Sequence, residues 1–400
     1  MFQIIKPGTT FDFIAKRGTA AIVSGFFLLG AIGVLVGIGP NYGIDFRGGS
    51  DIILTFSEGV TAEQVREAAG VAGFPDASVQ SFGDGSRNQF MVQTRAVSVV
   101  DEDLSEQIAE AIDAASPLAE QDGEKLWQWS SEQPDRLDFT LKNNAEPDVL
   151  SEAIKAVGLN KVDIEVVGTA QDKRYAARFE DLSSRVRTGF AKALPKGFDP
   201  DTGLERLETV GARVGNQLRE DGIAAMLISL LAILVYIAVR FDIRYAPGAV
   251  AALAHDVLFS VGFLTVLQVE FNLPILAALL TIVGYSLNDT IVVFDRIREN
   301  YTAGRGGSNL REIINTSVNE TLSRTIITSL TTFLAVFIIW MLGSGLIKDF
   351  ALTLIVGVVV GTYSSIFIAS PILLSMDTWL RQRQEARDLS ASLEKKTGGA

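Results

Sequence analysis

Two carboxylates stand where an idle charge is least tolerable. Asp256, beside the chain's single histidine, His255, and Asp289, between Asn288 and Thr290, both lie inside runs of apolar residues long enough to cross a bilayer. An ionisable group in hydrocarbon costs at least a few kcal/mol, so it is retained for a partner or for a use. The use these residue types suggest is proton transfer. An acid held away from water binds a proton more readily, and a guanidinium brought near opposes that binding. Arg324 opens a later apolar run. With a helical rise of about 1.5 Å per residue, Asp256 falls near the midplane, while Asp289 and Arg324 reach similar depths nearer one side. Adjacent helices would then let Arg324 load and release a proton at Asp289 as they shift, with Asn288 as a polar neighbour and His255 as a neutral relay. The competing reading is a static polar cluster that glues helices together, and it weighs more on Asp256 and His255 than on Asp289.

Enzymatic chemistry finds little footing. There are no cysteines and one histidine, which excludes disulfides, thiolate or multi-histidine metal sites and a cysteine nucleophile. The stretch GRGGSNL (304–310) is glycine-rich but lacks the lysine of a phosphate loop. No enzyme activity, cofactor or metal is expected.

The elements that must carry these residues are membrane helices. Six apolar runs are expected to span: 18–40, 222–239, 247–267, 273–294, 325–342 and 347–376. The last exceeds what a span needs and would tilt or project. A cleaved signal peptide is the rival for the first run, which is long for one and lacks an obvious small-x-small cleavage site followed by a free mature start. Gly357 and Gly361 form a GxxxG in the sixth. Basic residues set the orientation. Lys6, Lys16 and Arg17 precede span one. Arg240 and Arg244 separate spans two and three. Arg296, Arg298, Arg305 and Arg311 lie in the 295–324 loop, and Arg381, Arg383, Arg387, Lys395 and Lys396 in the tail, 377–400. Both termini, beginning with 1–17, are therefore expected in the cytoplasm. Asp295, Arg296, Arg298 and Glu299 read as a solvated, salt-bridged helix end.

The same assignment puts residues 41–221 outside. From Pro40 to Asp221 there are 33 acidic against 19 basic residues, so this domain holds the acidity of a chain whose net charge is -12. An acidic surface argues against nucleic acid as a partner. The domain reads as α+β and duplicated. DIILTF, TAEQVREAAGVAG, ASVQSF, QFMVQTRA and DLSEQIAEAIDAA run strand, helix, strand, strand, helix. RLDFTLKN, PDVLSEAIKAVG, VDIEVVGT, KRYAARFE and LSSRVRTGFAKAL repeat that order. A final strand from KLWQWSS and from LERLETVGARVG would complete two ferredoxin-like βαββαβ repeats, 41–130 and 131–221. One irregular mixed domain is the alternative. Nothing here looks catalytic, and sheet edges offer at most strand addition to extended peptide.

Several motifs, in order, resemble one family. YGIDFRGGS (42–50), with Tyr42, Gly43, Asp45, Phe46, Gly48 and Gly49, stands just after the first span. VGARVGNQL (210–218) precedes the second, AHD (254–256) lies in the third, GYSLNDTIVVFDRIREN (284–300) in the fourth, and NTSVNETLSRTIITSLTT (315–332) leads into the fifth. Together they resemble the SecD/SecF family of protein-export membrane proteins, of the resistance-nodulation-division superfamily, and YSLNDT points to its SecF branch. The resemblance implies a polytopic subunit of the bacterial inner membrane that pairs with SecD. It implies work beside the SecYEG channel and the SecA motor, with YajC and YidC as further partners, amid membrane lipid and on a translocating polypeptide. It implies use of proton flow to promote export, with Asp289 as the carboxylate of the fourth span, Arg324 as the arginine of the fifth and Asp256 in the His-Asp pair of the third. The outer domain departs from the single unit usual in that branch by an extra segment of roughly 120–196. The rival functions are a self-contained proton-driven exporter of lipid or small molecules and a passive scaffold.

Overall fold

A computed structural model describes residues 10–83, 87–130, 133–159, 161–169, 171–304 and 309–397, with side chains as far as 387. Lys6, Arg305, most of GRGGSNL and the Lys395 and Lys396 side chains lie outside the described residues. The chain divides into two compact units, Met1–Gly43 with Arg219–Ala400, and Ile44–Leu218.

The first unit is helical. Among the described residues six helices are long and apolar enough to cross a membrane. They are α1 (Arg17–Gly37), α7 (Ala212–Arg240), α8 (Ala246–Val266), α9 (Leu273–Thr302), α10 (Leu310–Leu342) and α11 (Leu346–Ser364), the last continued by a π-helical turn, Ser365–Ala369, into α12 (Ser370–Thr397). Asn272 caps α9 by accepting from the Ile275 N–H, and prolines open α8 and α9 where a missing N–H costs nothing. Large apolar side chains of α1 and α7, such as Phe26, Leu29, Leu227 and Leu231, are exposed, as a lipid-facing surface requires. The inward faces carry small residues instead. A Cβ at Gly262 of α8 would lie 2.4 Å from the Ala31 Cβ of α1, and one at Gly357 of α11 would lie 2.1 Å from Ile282 of α9. Gly361, the other glycine of the GxxxG, rests on Ser286. Helix contact through small residues replaces the hydrophobic effect that lipid cannot supply.

The helix end after span four is salt-bridged as expected. Arg296 bonds both Glu299 and Glu320 at 2.6 Å. At the same end of the bundle Arg244 reaches Asp377 at 2.9 Å, and Arg381 bonds the other Asp377 oxygen at 2.7 Å.

The second unit is α+β. After one helical turn, α2 (Ile44–Arg47), it contains β1 (Gly49–Thr55), α3 (Ala62–Val71), β2 (Ser78–Phe82), β3 (Gln89–Thr94), α4 (Glu102–Ala115), a short hairpin of β4 (Glu120–Gln121) and β5 (Glu124–Lys125), β6 (Trp127–Ser130), β7 (Gln133–Thr140), α5 (Pro147–Ala156), β8 (Val162–Val167), β9 (Arg174–Phe179), α6 (Leu182–Ala193) and β10 (Leu204–Val210). The succession of elements is the duplicated one, but the partners are exchanged. One sheet runs β10-β1-β3-β2 and the other β6-β7-β9-β8. Each has the strand order of a ferredoxin-like unit, and each takes its fourth strand from the other half of the sequence.

KLWQWSS therefore does not complete the first repeat. Its strand β6 pairs with β7, Trp127 opposite Phe139. LERLETV pairs with β1, Gly49 opposite Val210. The helices follow their strands. Ile108 and Ile112 of α4 share a core with Leu150 and Ile154 of α5, and Val186 and Phe190 of α6 share one with Val65 and Ala69 of α3. The repeats 41–130 and 131–221 are thus corrected to one lobe built from both ends of the unit and a second inserted as a continuous stretch, α4 through β9. The added segment is 102–179 rather than 120–196. Helix contact is what selects the partner. A Cβ on Gly189 of α6 would stand 2.5 Å from the Ala72 Cβ just beyond α3, so α6 suits that close crossing.

Candidate functional site

The two acids of the helical unit are both buried. Asp256 on α8 receives hydrogen bonds at Oδ2 from Ser286 of α9 and Ser364 of α11, each at 2.6 Å. Its Oδ1 lies 3.0 Å from His255 Nδ1, which donates to it when protonated there. Tyr363 and Phe259 flank the His255 ring, and Tyr363 shares a 2.9 Å hydrogen bond with Ser24 of α1. Asp289 on α9 receives bonds from Thr325 of α10 at 2.7 Å on Oδ1 and from Ser365 at 3.0 Å on Oδ2. One turn beyond Thr325, Ser329 accepts from Thr362 at 2.7 Å and from Tyr285 at 3.3 Å. Four helices thus enclose a polar layer of acids, hydroxyls and one imidazole.

Local helix geometry explains who faces whom. Ser286 and Asp289 are three residues apart and share a face of α9. Ser364 and Ser365 are consecutive, point to different neighbours, and sit where α11 widens into the π turn. Gly361 lacks a Cβ where Ser286 approaches, which brings the Ser286 hydroxyl to the α8 acid.

Two sequence expectations change here. Arg324 does not contact Asp289. Its side chain is exposed, no ion pair joins the two, and Thr325 takes the place next to the acid. Asn288 is also exposed, since a step of one residue on a helix turns it off the buried face that Asp289 occupies. His255, Asp256 and Asp289 are in the layer. Sequence reasoning missed the hydroxyls, Ser286, Thr325, Ser364 and Ser365, for which the run TYSS beside the GxxxG was the available signal.

The signature after span one is a scaffold. The Gly43 N–H donates to Phe271 O at 2.8 Å, Tyr42 bridges Phe271, and Arg219 covers the Tyr42 ring at 5.7 Å. In the α+β unit Phe46 is buried and Asp45 begins the α2 turn. Gly48 and Gly49 take φ of +76° and +125°, and a Cβ on them would lie 2.6 Å from Ala212 Cα and 2.5 Å from Thr94 O. Only glycine fits a backbone so placed.

Comparison with known proteins gives these features a family. Residues 191–379 match the C-terminal family model of protein export membrane proteins SecD/SecF, and residues 33–60 match the SecD/SecF GG motif. The protein translocase subunit SecF of Vibrio alginolyticus is 35% identical over 376 residues, covering 94% of this chain and 93% of its own length. The chain belongs to the SecF family. SecF of Magnetococcus marinus is 37% identical and matched over 97% of its length, so the long outer domain lies within the matched length of both relatives. The crystal structure of SecDF from Thermus thermophilus, a translocon-associated membrane protein, superposes with a TM-score of 0.61 at 28% identity. That match covers 93% of this chain and 39% of the SecDF chain, so the SecF-family chain spans about two fifths of the longer protein.

Proposed function

We propose that this multi-pass membrane protein is the SecF-type subunit of a SecD–SecF accessory complex in the bacterial inner membrane, where it couples proton flow to the export of polypeptides. It is a non-enzymatic subunit. Its termini face the cytoplasm and its acidic α+β unit faces outside, a placement supported by the arginines at the Arg244–Asp377 end. SecD is its direct partner, and SecYEG, SecA, YajC and YidC form the wider assembly.

The observation that carries the coupling is Asp289, buried in the helical layer and held by two hydroxyls. Hydroxyl partners satisfy the acid in either protonation state, whereas a fixed ion pair would hold it charged. Arg324 and Asn288 lie exposed on the same two helices, where a SecD helix bundle can meet them and complete the path. Asp256 with His255 is a second protonatable pair behind it.

The test is Asp289→Asn in full-length protein co-expressed with its SecD partner. Inverted membrane vesicles are assayed for export of a preprotein with and without a proton gradient. The variant is expected to co-purify with SecD and to lose the gradient-dependent part of export. Unchanged gradient dependence would reduce the protein to a scaffold, and absence of any SecD-like partner would favour a self-contained exporter.

A further inference from the structure

Three serines contact the acids, and two of them, Ser364 and Ser365, have a second acceptor. Ser364 Oγ lies 2.6 Å from Asp256 Oδ2 and 3.1 Å from Gly361 O, its own helix carbonyl one turn back. Ser365 Oγ lies 3.0 Å from Asp289 Oδ2 and 3.1 Å from Thr362 O. A hydroxyl owns one hydrogen, so it serves the acid or the carbonyl. Both residues are fully buried.

We propose that Ser364 and Ser365 are a paired hydroxyl switch that reports the protonation of Asp256 and Asp289 to helix α11. With Asp289 ionised, Ser365 donates to its Oδ2. When a proton arrives at Oδ2, the new O–H donates to Ser365 Oγ, and the Ser365 hydrogen turns to Thr362 O. Ser364 makes the same exchange between Asp256 and Gly361 O. No covalent bond changes apart from the transferred proton.

The place of the serines gives the exchange a mechanical outlet. They stand at the junction of α11 and the five-residue π turn Ser365–Ala369. A π turn is an inserted irregularity that a helix can shift or lose. Its far end is fixed, since Ser370 Oγ donates to Ser365 O at 3.1 Å and Gly248 of α8 lets its backbone abut Ala369 O. Bonding a serine hydrogen to a carbonyl one turn back alters the ladder at this spot. Besides Ser365, Asp289 is bonded by Thr325 of α10, and Arg324 stands exposed on that same helix. Asp256 is faced by His255 at Oδ1 and, besides Ser364, by Ser286 at Oδ2.

This inference rests on the proton-coupling reading, and its test is separable from it. The full-length protein with its SecD partner is placed in lipid nanodiscs, and infrared difference spectra are taken across pH. Asp289→Asn and Asp256→Asn assign the carboxylic C=O bands. Ser365→Ala is expected to move the Asp289 band and shift its midpoint by about one pH unit, the worth of one hydrogen bond to a charged group. Ser364→Ala is expected to do the same to the Asp256 band. Ser365→Thr, which keeps the hydroxyl, is expected to restore both position and midpoint. Bands and midpoints unmoved in both alanine variants would overturn the switch. So would a threonine variant that behaves as alanine, since lost packing and not the hydroxyl would then be responsible. If Asp289→Asn leaves gradient-driven export intact, the coupling reading fails while the spectra still judge the switch.

Discussion

Asp289 is held by hydroxyls and not by a cation, and substitutions on α10 should tell the two apart. Thr325→Val keeps the shape and removes a donor to a buried carboxylate. It is expected to destabilise the bundle by about 1–3 kcal/mol, read as a lower unfolding temperature in nanodiscs. Arg324→Gln should leave that temperature unchanged and affect only gradient-driven export. Equal falls in both would mean that the guanidinium supports the acid directly. In the α+β unit Glu205 carries a pH dependence. Its carboxyl accepts from Thr55 and Gln89, each at 2.6 Å. The Thr55 hydrogen bond, helped by that of Gln89 and by the Arg87 charge, holds it below the usual glutamate range. A depressed folded value means that its stabilisation is present above the unfolded value of about 4.3 and is lost as pH falls through the folded one. Hydrogen exchange of β10 should therefore quicken on acidification below that point, and Glu205→Gln should flatten the response. The acids were legible in the sequence because hydrocarbon makes a charge conspicuous. The hydroxyls were not. Thr265, Thr281, Thr331 and Thr353 bond only their own helix carbonyls in this structure, and nothing in residue type separates them from Thr325 or Ser365.

At the level of elements, the crossing of α9 and α11 is set by what is missing. Gly357→Ala would drive a methyl to 2.1 Å from an Ile282 side-chain atom. Overpacking of this kind typically costs about 1–3 kcal/mol. The expected result is a lower unfolding temperature, restored in part by adding Ile282→Ala, which removes both γ carbons. No recovery in the double variant would place the strain elsewhere. The six spans and the order of the outer elements could be read from apolar run length and from periodicity, because both are local properties. The π turn could not, since SIFIA looks like any apolar helix and the contacts at its ends, Gly248 against Ala369 and Ser370 against Ser365, join residues that local pattern does not relate to an irregular turn. Pairing was equally hidden: β6 and β10 both follow a helix in matching repeats, and only the side chains of distant partners distinguish them.

For the molecule as a whole, the exchanged strands define where it can be cut. Removing 97–180 with a short bridging linker excises the second lobe as one piece and leaves β10-β1-β3-β2 with α3 and α6 intact. Such a shortened protein is expected to insert, to co-purify with SecD and to keep protease resistance in the remaining lobe. A chain divided at the apparent repeat boundary near 130 leaves each half without its fourth strand and should be degraded. Survival of the second and loss of the first would contradict the topology. The exchange also imposes a timetable. As the chain emerges, β1, β2 and β3 come out first, yet their sheet must wait for β10 roughly 150 residues later, and contacts that far apart form slowly. The inserted lobe has every strand in hand once β9 is out. The portion synthesised in between is thus the one able to mature first, while the earlier strands stand open-edged and unfinished until the last segment arrives to seal them.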